Sequence, residues 1–372
     1  MISHLYVHVP FCPSICPYCD FHVLERRGTL VRDYLHELER DAAALVAEHG
    51  AHPLKTIYIG GGTPSFLRNS ELETLVCIIQ KHFGWAADVT LEVNPGTVSK
   101  SRAQHWKNLG VSRVSVGVQS TQDAVLRFLG RTHNSRQALE ALRLLQEAGF
   151  AVSADLITAV SGQDLAQDIH TLGKLGLEHV SCYTLTIEPD TPFFRQGIQV
   201  REEDESAALE QAEPLLLQYG LERYEVSNHA KPGAEAQHNL AYWQNKFFYG
   251  LGAGAAGHYP APKASDECIA TRRTNPHLRA WLQGQRGKPE PISRVEFVTD
   301  ALFNGLRLKR GINIAELSKQ AGLAAREYFA PAFTRCEQRD WLEWEGDVLR
   351  CTTAGWWVLN RVIGEFLLEH EL

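Results

Sequence analysis

Three cysteines stand close together near the amino terminus, in Cys12-Pro-Ser-Ile-Cys16-Pro-Tyr-Cys19, a C-x3-C-x2-C run. Thiolates gathered this tightly favour an iron–sulfur cluster or zinc. Structural zinc sites nearly always take four protein ligands, commonly from two paired motifs set apart by a longer stretch. No fourth cysteine lies near, and His22 is the one local substitute, at an irregular spacing. Three thiolates on a 4Fe–4S cubane leave one iron without a protein ligand, and that vacancy is a binding position for a small molecule. Two prolines inside the run and a strand end before it argue against three cysteines merely packed in a core. The remaining five, Cys77, Cys182, Cys268, Cys336 and Cys351, are scattered singly and read as small buried apolar residues. Cysteines distributed in this way do not form a disulfide framework.

Other residues capable of chemistry follow short β-branched runs: Gly61-Gly62-Thr63-Pro64, Glu92-Val93-Asn94-Pro95 and Gln119. The runs read as strands over His4–Val9, Thr56–Gly60, Asp88–Val93, Arg113–Val118, Ala151–Ile157 and His179–Leu185. Between them lie the amphipathic stretches Asp33–Glu48, Glu71–His82, Lys100–Leu109, Ser135–Ala148 and Leu165–Leu175. Their apolar residues recur at helical spacing, as in Leu139, Leu142, Leu145 and Ala148. Gly50, Gly84, Gly110, Gly149 and Gly176 mark helix ends. Strands alternating with helices imply parallel pairing and right-handed crossovers. Six units, not eight, give an α/β fold of the partial (β/α)6 barrel type. In such a barrel, chemistry collects at the C-terminal ends of the strands. The cysteines, the glycine triplet, Glu92 and Gln119 all fall on that rim. A lone glycine triplet is a tight turn and a lone carboxylate a cap or surface group; only their joint placement marks a site.

Beyond Glu188 the pattern weakens. The acidic run Glu202–Glu205 opens a helix, where negative charge suits the N-terminal dipole. A glycine-rich stretch carries Gly250, Gly252, Gly254 and Gly257. After Ser293, three helical stretches precede Trp341–Cys351, which alternates as a hairpin about Gly346 and Asp347, and a last helix runs from about Thr353 to Glu369. The expected division is therefore a barrel core over 1–190, an extension over 191–293, and an α+β winged-helix-like domain over 294–372. That last segment holds 10 Lys/Arg against 12 Asp/Glu, a net of −2, and the chain as a whole carries −7. Both figures argue against nucleic acid as a partner. The opening MISHLYVHVPFC lacks the regions of a secretory signal, and no apolar run reaches membrane-spanning length. A cytoplasmic location is expected.

The cysteine spacing, with Tyr18 as the aromatic before the third cysteine, resembles the radical S-adenosylmethionine superfamily. More narrowly, the chain resembles the oxygen-independent coproporphyrinogen III oxidase-like proteins, and within them the heme-chaperone branch. The resemblance is carried by Tyr6-Val-His-Val-Pro-Phe-Cys12, Cys16-Pro-Tyr-Cys-Asp-Phe21, Ile59-Gly-Gly-Gly-Thr-Pro-Ser65, Glu92-Val-Asn-Pro-Gly96, Ser115-Val-Gly-Val-Gln-Ser120, Leu129-Gly-Arg131 and His238-Asn-Leu-Ala-Tyr-Trp243. These segments run in the family's order over roughly residues 4–260. The resemblance implies a 4Fe–4S cluster on Cys12, Cys16 and Cys19, whose open iron chelates the amino and carboxylate groups of S-adenosylmethionine. Gly61, Gly62 and Thr63 would line the methionine part. Glu92 would accept from the ribose hydroxyls, and Gln119, Arg131 and Asp155 would meet other polar groups. Tyr6 would sit beside the cluster or the methionine. The implied chemistry is electron transfer from a reduced cluster, cleaving the sulfonium to a deoxyadenosyl radical; no further side chain is assigned to catalysis.

Two readings follow from the resemblance. The oxidase relatives carry a further cysteine two residues past the third, where this chain has Phe21, and a longer segment ahead of the cluster. The chaperone reading rests on His238-Asn239-Leu240-Ala241-Tyr242-Trp243, similar to that branch's H-N-x-x-Y-W motif. It implies heme as ligand, with His238 as a candidate axial donor, heme-accepting apoproteins as partners, and an electron donor if the cluster is reduced. Considered without the resemblance, His238 and Asn239 form a hydrogen-bonded cap while Tyr242 and Trp243 pack in the core. Two places depart from the family: Asp155-Leu-Ile-Thr-Ala-Val-Ser-Gly-Gln163 lacks a Gly and a Pro, and the usual histidine of the glycine-rich stretch falls on Ala256, with His258 two residues later. The zinc-stapled binding protein remains the reading from another class.

Overall fold

Polar and apolar residues alternate along the first six long strands, and this alternation decides which face each strand turns inward. The computed structural model describes residues 1–26 and 28–370. The strands are β1 (His4–Val9), β4 (Thr56–Gly61), β5 (Asp88–Val93), β6 (Arg113–Gln119), β7 (Ala151–Thr158) and β8 (His179–Thr184); the short β2 (Phe11–Cys12) and β3 (Leu24–Glu25) lie between the first two. Leu5 and Val7, Ile57 and Ile59, Val89 and Leu91, and Val114 and Val116 all belong to one buried apolar core. The intervening His4, Tyr6, Thr56, Tyr58, Glu92, Ser115 and Asp155 form the other, polar face. Side chains alternate in this way because successive residues of a strand point to opposite sides.

Helices Leu30–His49, Asn69–Phe83, Lys100–Asn108, Ser135–Glu147 and Leu165–Gly173 follow five of these strands. Each buries an apolar stripe, for example Ala138, Ala141, Leu142 and Leu145 on the fourth. That helix starts where Asn134 accepts from the Gln137 amide while the Gln137 side chain accepts from the Asn134 amide, a capping box. Burial of leucines such as Leu142 and Leu145 contributes about 2 kcal/mol each.

The sheet order is β11 (Tyr249–Leu251), β1, β4, β5, β6, β7, β8, β10 (Asn228–Ala230) and β9 (Glu222–Arg223), so the barrel stays open between two edges. The six expected strands occupy the middle, all in parallel. Three more come from the region where the sequence pattern weakens. β11 (Tyr249–Leu251) adds in parallel to β1, while β10 (Asn228–Ala230) adds antiparallel to β8 and carries β9 (Glu222–Arg223). Such two- and three-residue strands are too short to show a period. β12 (Ala256–Pro260), β13 (Ala270–Thr274) and β14 (Glu290–Ile292) form a separate antiparallel sheet.

A second apolar cluster gathers Phe297, Leu302, Phe329, Phe333 and Phe366. Four helices, not three, precede the hairpin, because the expected third stretch divides at Phe329 into Ala325–Tyr328 and Ala330–Gln338. β16 (Leu342–Glu345) and β17 (Val348–Cys351) form the hairpin, with Gly346 at φ +63° in its turn, and β15 (Ile312–Asn313) pairs with β17 as a third strand. The last helix breaks at Val358 into Thr353–Trp357 and Leu359–Leu367. Helices with a small three-stranded wing make up the winged-helix-like part. Cys182, Cys336 and Cys351 are buried as expected, but Cys77 is exposed on the outer side of its helix and Cys268 is intermediate. No described helix is long and apolar enough to cross a membrane.

Candidate functional site

The cysteine run starts at the end of one short strand and lies in the loop to a second, and the two strands close its base. β2 and β3 pair in parallel, Phe11 with Leu24 and Cys12 with Glu25. Within the loop the Cys19 amide donates to the Cys16 carbonyl at 3.1 Å. Elements from outside hold it in place. The Phe193 amide donates to the Pro17 carbonyl at 2.9 Å, and a Cβ on Gly130 would stand 2.6 Å from Pro17 Cδ.

The glycine triplet is joined to the same backbone. Gly62 N–H donates to Val9 O and Thr63 N–H to Phe11 O, both at 2.8 Å. A Cβ on Gly62 would meet the Phe11 carbonyl oxygen at 2.9 Å, and one on Gly61, at φ +106°, would meet the His8 ring at 2.6 Å. Glycine is therefore required here so that two chain segments can touch, a packing reason that stands beside ligand approach.

Two of the three sulfurs already receive hydrogen bonds from protein. Thr63 Oγ1 donates to Cys12 Sγ at 3.5 Å and Arg131 Nη1 to Cys16 Sγ at 3.4 Å. Burial raises the Cys12 thiol and pushes Cys19 up to about 11, so loading a metal here would displace protons. Among the described residues, no three His, Cys, Asp or Glu side chains close on a point where one ion would sit. Zinc needs that convergence, whereas a cluster offers each thiolate its own iron. The donor set, with N–H and O–H groups aimed at sulfur, fits a cluster.

The loop opens on a cavity of about 400 Å³, within the usual range for a small-molecule site. Its walls include Cys12, Cys16 and Cys19 from the loop, Gly61, Gly62 and Thr63 after β4, and Glu92, Gln119, Arg131 and Asp155. Ten of the twelve site residues expected from the sequence thus share one cavity. Glu92 is held on both oxygens: Tyr58 O–H donates to Oε1 at 2.8 Å and Gly61 N–H to Oε2 at 2.9 Å. Burial, with Asp155 nearby, nonetheless lifts its pKa to about 7. Asp155 accepts from Ser115 Oγ at 3.0 Å and is pushed up to about 6, chiefly by burial. Gln119 has φ +67° at an irregularity where the pairing of β6 with β7 passes from Gly117 to Gln119. A bulge of this kind re-aims a side chain at a strand end.

Tyr6 and His238 lie elsewhere. The Tyr6 hydroxyl is hydrogen-bonded to His8 Nδ1 at 2.8 Å, and its ring packs on Tyr58, which does line the cavity. His238 is buried near the start of the helix Gln237–Trp243, with both ring nitrogens engaged: Nδ1 with Thr56 Oγ1 at 2.6 Å and Nε2 with the Tyr242 hydroxyl at 2.9 Å. Thr56 also bonds His4 Nδ1 at 2.8 Å, which makes a buried chain from β1 through β4 to this helix. Burial drives the His238 imidazole down to about 3, so it is neutral. Sequence reasoning missed Tyr58, Ser115 and Tyr183, which also face the cavity. Their signal was present in the period-two alternation, since each shares its strand face with an inward polar neighbour.

A model of the radical SAM superfamily matches residues 6–175, and one of the HemN C-terminal domain matches 292–358. The chain is 32% identical to the heme chaperone HemW of Lactococcus lactis subsp. lactis, over 98% of this chain and 97% of that one. It is 33% identical to heme chaperone HemW of Escherichia coli, over 98% of each. Among solved structures, the coproporphyrinogen III oxidase HemN of Escherichia coli, a radical SAM enzyme, superposes with a TM-score of 0.82 at 18% identity, covering 98% of this chain and 90% of that one. This likeness concerns the fold. The chain belongs to the radical SAM superfamily and, within its coproporphyrinogen III oxidase-like members, to the family of the heme chaperone HemW.

Proposed function

We propose that this protein is a heme carrier that binds a 4Fe–4S cluster and S-adenosylmethionine and delivers heme to acceptor proteins. Membership of the superfamily implies the cluster and the nucleotide. Cys12, Cys16 and Cys19 would hold the cluster, Thr63 and Arg131 would donate to its ligand sulfurs, and the cavity beside them would take the nucleotide. When bound, the cluster supplies an electron to the sulfonium. Glu92, oriented by Tyr58 and Gly61, would accept from the ribose hydroxyls. Gly61 and Gly62 let the rim lie flat against the cysteine segment. Heme as cargo follows from the relatives' described role and from Phe21, which occupies the place where the oxidase relatives carry a cysteine.

The observation that carries this reading is the set of three cysteines opening, with Glu92 and Arg131, on one cavity. Anaerobic reconstitution tests it. Iron and sulfide near about four per chain with broad visible absorption, saturable S-adenosylmethionine binding, and heme transfer to an apoprotein without conversion of coproporphyrinogen are the expected results. Zinc uptake with no nucleotide binding would overturn the cluster, and turnover of coproporphyrinogen would select the oxidase.

A further inference from the structure

A carrier must release heme, so the side chain that holds the iron has to be reachable by an incoming acceptor ligand. His238 does not meet that requirement. Its two ring nitrogens are bonded to Thr56 and Tyr242, and its side chain is buried. His4, His8, His133, His179, His229 and His258 are buried as well.

His22 and His277 present the opposite case. Both are exposed, and among the described residues neither ring nitrogen of either one has a hydrogen-bond partner. Their rings pack edge to face with centroids 4.1 Å apart, although they come from distant parts of the chain. His277 precedes the helix Leu278–Trp281, and His22 lies three residues past Cys19. The position of His22 is built. Its carbonyl accepts from His8 Nε2 at 3.1 Å, and a Cβ on Gly254, at φ +76°, would stand 2.9 Å from the His22 ring. The chain neighbours Phe21 and Val23 line the cavity, so the pair stands directly outside its rim. Apolar surface is exposed on the walls of the same cavity, with Phe21, the chain neighbour of His22, 63% and Ile15 45% accessible.

Neutral imidazole is a competent axial ligand for heme iron, and exposed aromatic and aliphatic groups suit the face of an apolar macrocycle. We propose that the heme iron is bound at the rim of the cavity by the His22–His277 pair, with the porphyrin lying over Phe21 and Ile15, and not by His238. The inference rests on the heme-carrier reading above and adds the place and the donors. One imidazole nitrogen of the pair forms the bond to iron, and an acceptor's ligand replaces it on delivery. Because His22 shares its loop with the cysteines, heme affinity and cluster occupancy are coupled.

The test is titration of ferric protoporphyrin IX onto the full chain with its cluster, wild type against His22→Ala, His277→Ala and the double variant, following the Soret band. The double variant is expected to bind at least tenfold more weakly, with a band displaced toward that of free heme. Added imidazole should return the band to the wild-type position, a rescue that a folding defect would not give. Unchanged iron and sulfide content in the variants verifies that the loop is intact. A double variant with the wild-type band and affinity overturns the site while leaving the carrier reading standing. A wild-type protein that fails to bind heme ends both.

Discussion

Arg131 reaches Cys16 with one guanidinium nitrogen, Nη1 to Sγ at 3.4 Å, while Nη2 donates to the Gly117 carbonyl at 3.1 Å. The second bond fixes the first. It anchors the cation to the end of β6 and so directs the charge at the sulfur. Hydrogen bonds and positive charge at a cluster's sulfurs stabilise its reduced, more negative form. Arg131→Met is therefore expected to retain iron but move the midpoint potential in the negative direction. The one-electron scale is about 60 mV for each tenfold loss of preference for the reduced state, and a shift of that order should appear in a redox titration followed by electron paramagnetic resonance. An unchanged potential in a fully loaded variant would refute the role.

Glu92 links nucleotide affinity to pH. Its pKa is raised by burial to about 7. An acid so shifted holds its proton in the folded state over a range where the unfolded chain has lost it, so stability falls as pH rises from about 4.5 toward 7. Acceptance of ribose hydroxyls, in contrast, is best served by the ionised form. S-adenosylmethionine should therefore bind more tightly at pH 8 than at pH 6. Glu92→Gln should flatten that dependence and weaken binding about tenfold, as loss of a hydrogen bond worth about 1.4 kcal/mol predicts. Equilibrium dialysis across the range checks it; a wild-type affinity indifferent to pH would count against ionised Glu92 as the ribose acceptor.

Gly62 and Gly84 predict different outcomes for the same substitution. A Cβ at Gly62 would meet Phe11 backbone atoms at 2.9 to 3.0 Å, whereas at Gly84, φ +78°, nothing lies within 4 Å. Gly62→Ala must move the segment that carries Cys12, and the expected cost is about 2 kcal/mol together with lost iron. Gly84→Ala should cost about 1 kcal/mol through backbone strain alone and leave iron content unchanged. Thermal unfolding and iron assay distinguish the two. Equal iron retention in both would show that the close approach at Gly62 does not hold the cysteine loop.

Physical reasons explain which parts of this architecture were legible in the residues. The six central strands were readable because β-branched runs end at glycine or polar turns, and the capped helix after Asn134 because its apolar spacing is regular. The cysteines, Gly61, Gly62, Thr63, Glu92 and Gln119 followed from strand ends, whereas Arg131, which lies past the helix Asp123–Phe128, and Asp155 were reached through the family resemblance. The edge strands β9, β10 and β11 were not readable, since two or three residues carry no period, and β10 and β11 join the sheet through β8 and β1, which lie far away in sequence. Tyr58 and Ser115 were overlooked because the runs were read for β-branching and not for alternation. Only part of the environment of His238 was local: Tyr242 stands one helical turn on, but the bond to Thr56 spans 182 positions, and only the folded chain brings those two together.

The buried histidines make the fold acid-labile. Burial drives His4, His133 and His258 down to about 4, and His179, His229 and His238 to about 3. A base depressed in the folded state is neutral there while the unfolded chain takes up a proton below about 6.5. Each such group therefore contributes stability that is present above that value and is lost as pH falls toward 3 or 4. The slope approaches about 1.4 kcal/mol per pH unit for each histidine. Glu92, Asp155, Asp88 and Glu225, all raised by burial, oppose this in part as pH falls below 7, but four carboxyls do not offset six imidazoles. The unfolding temperature should fall steeply from pH 7 to pH 5. His238→Gln should lessen the slope by removing one titrating group while lowering stability at pH 7.5, because Thr56 and Tyr242 lose a fitted partner. Calorimetry at several pH values measures both effects, and a flat profile in the wild type would mean that these imidazoles are hydrated and not sealed in the interior.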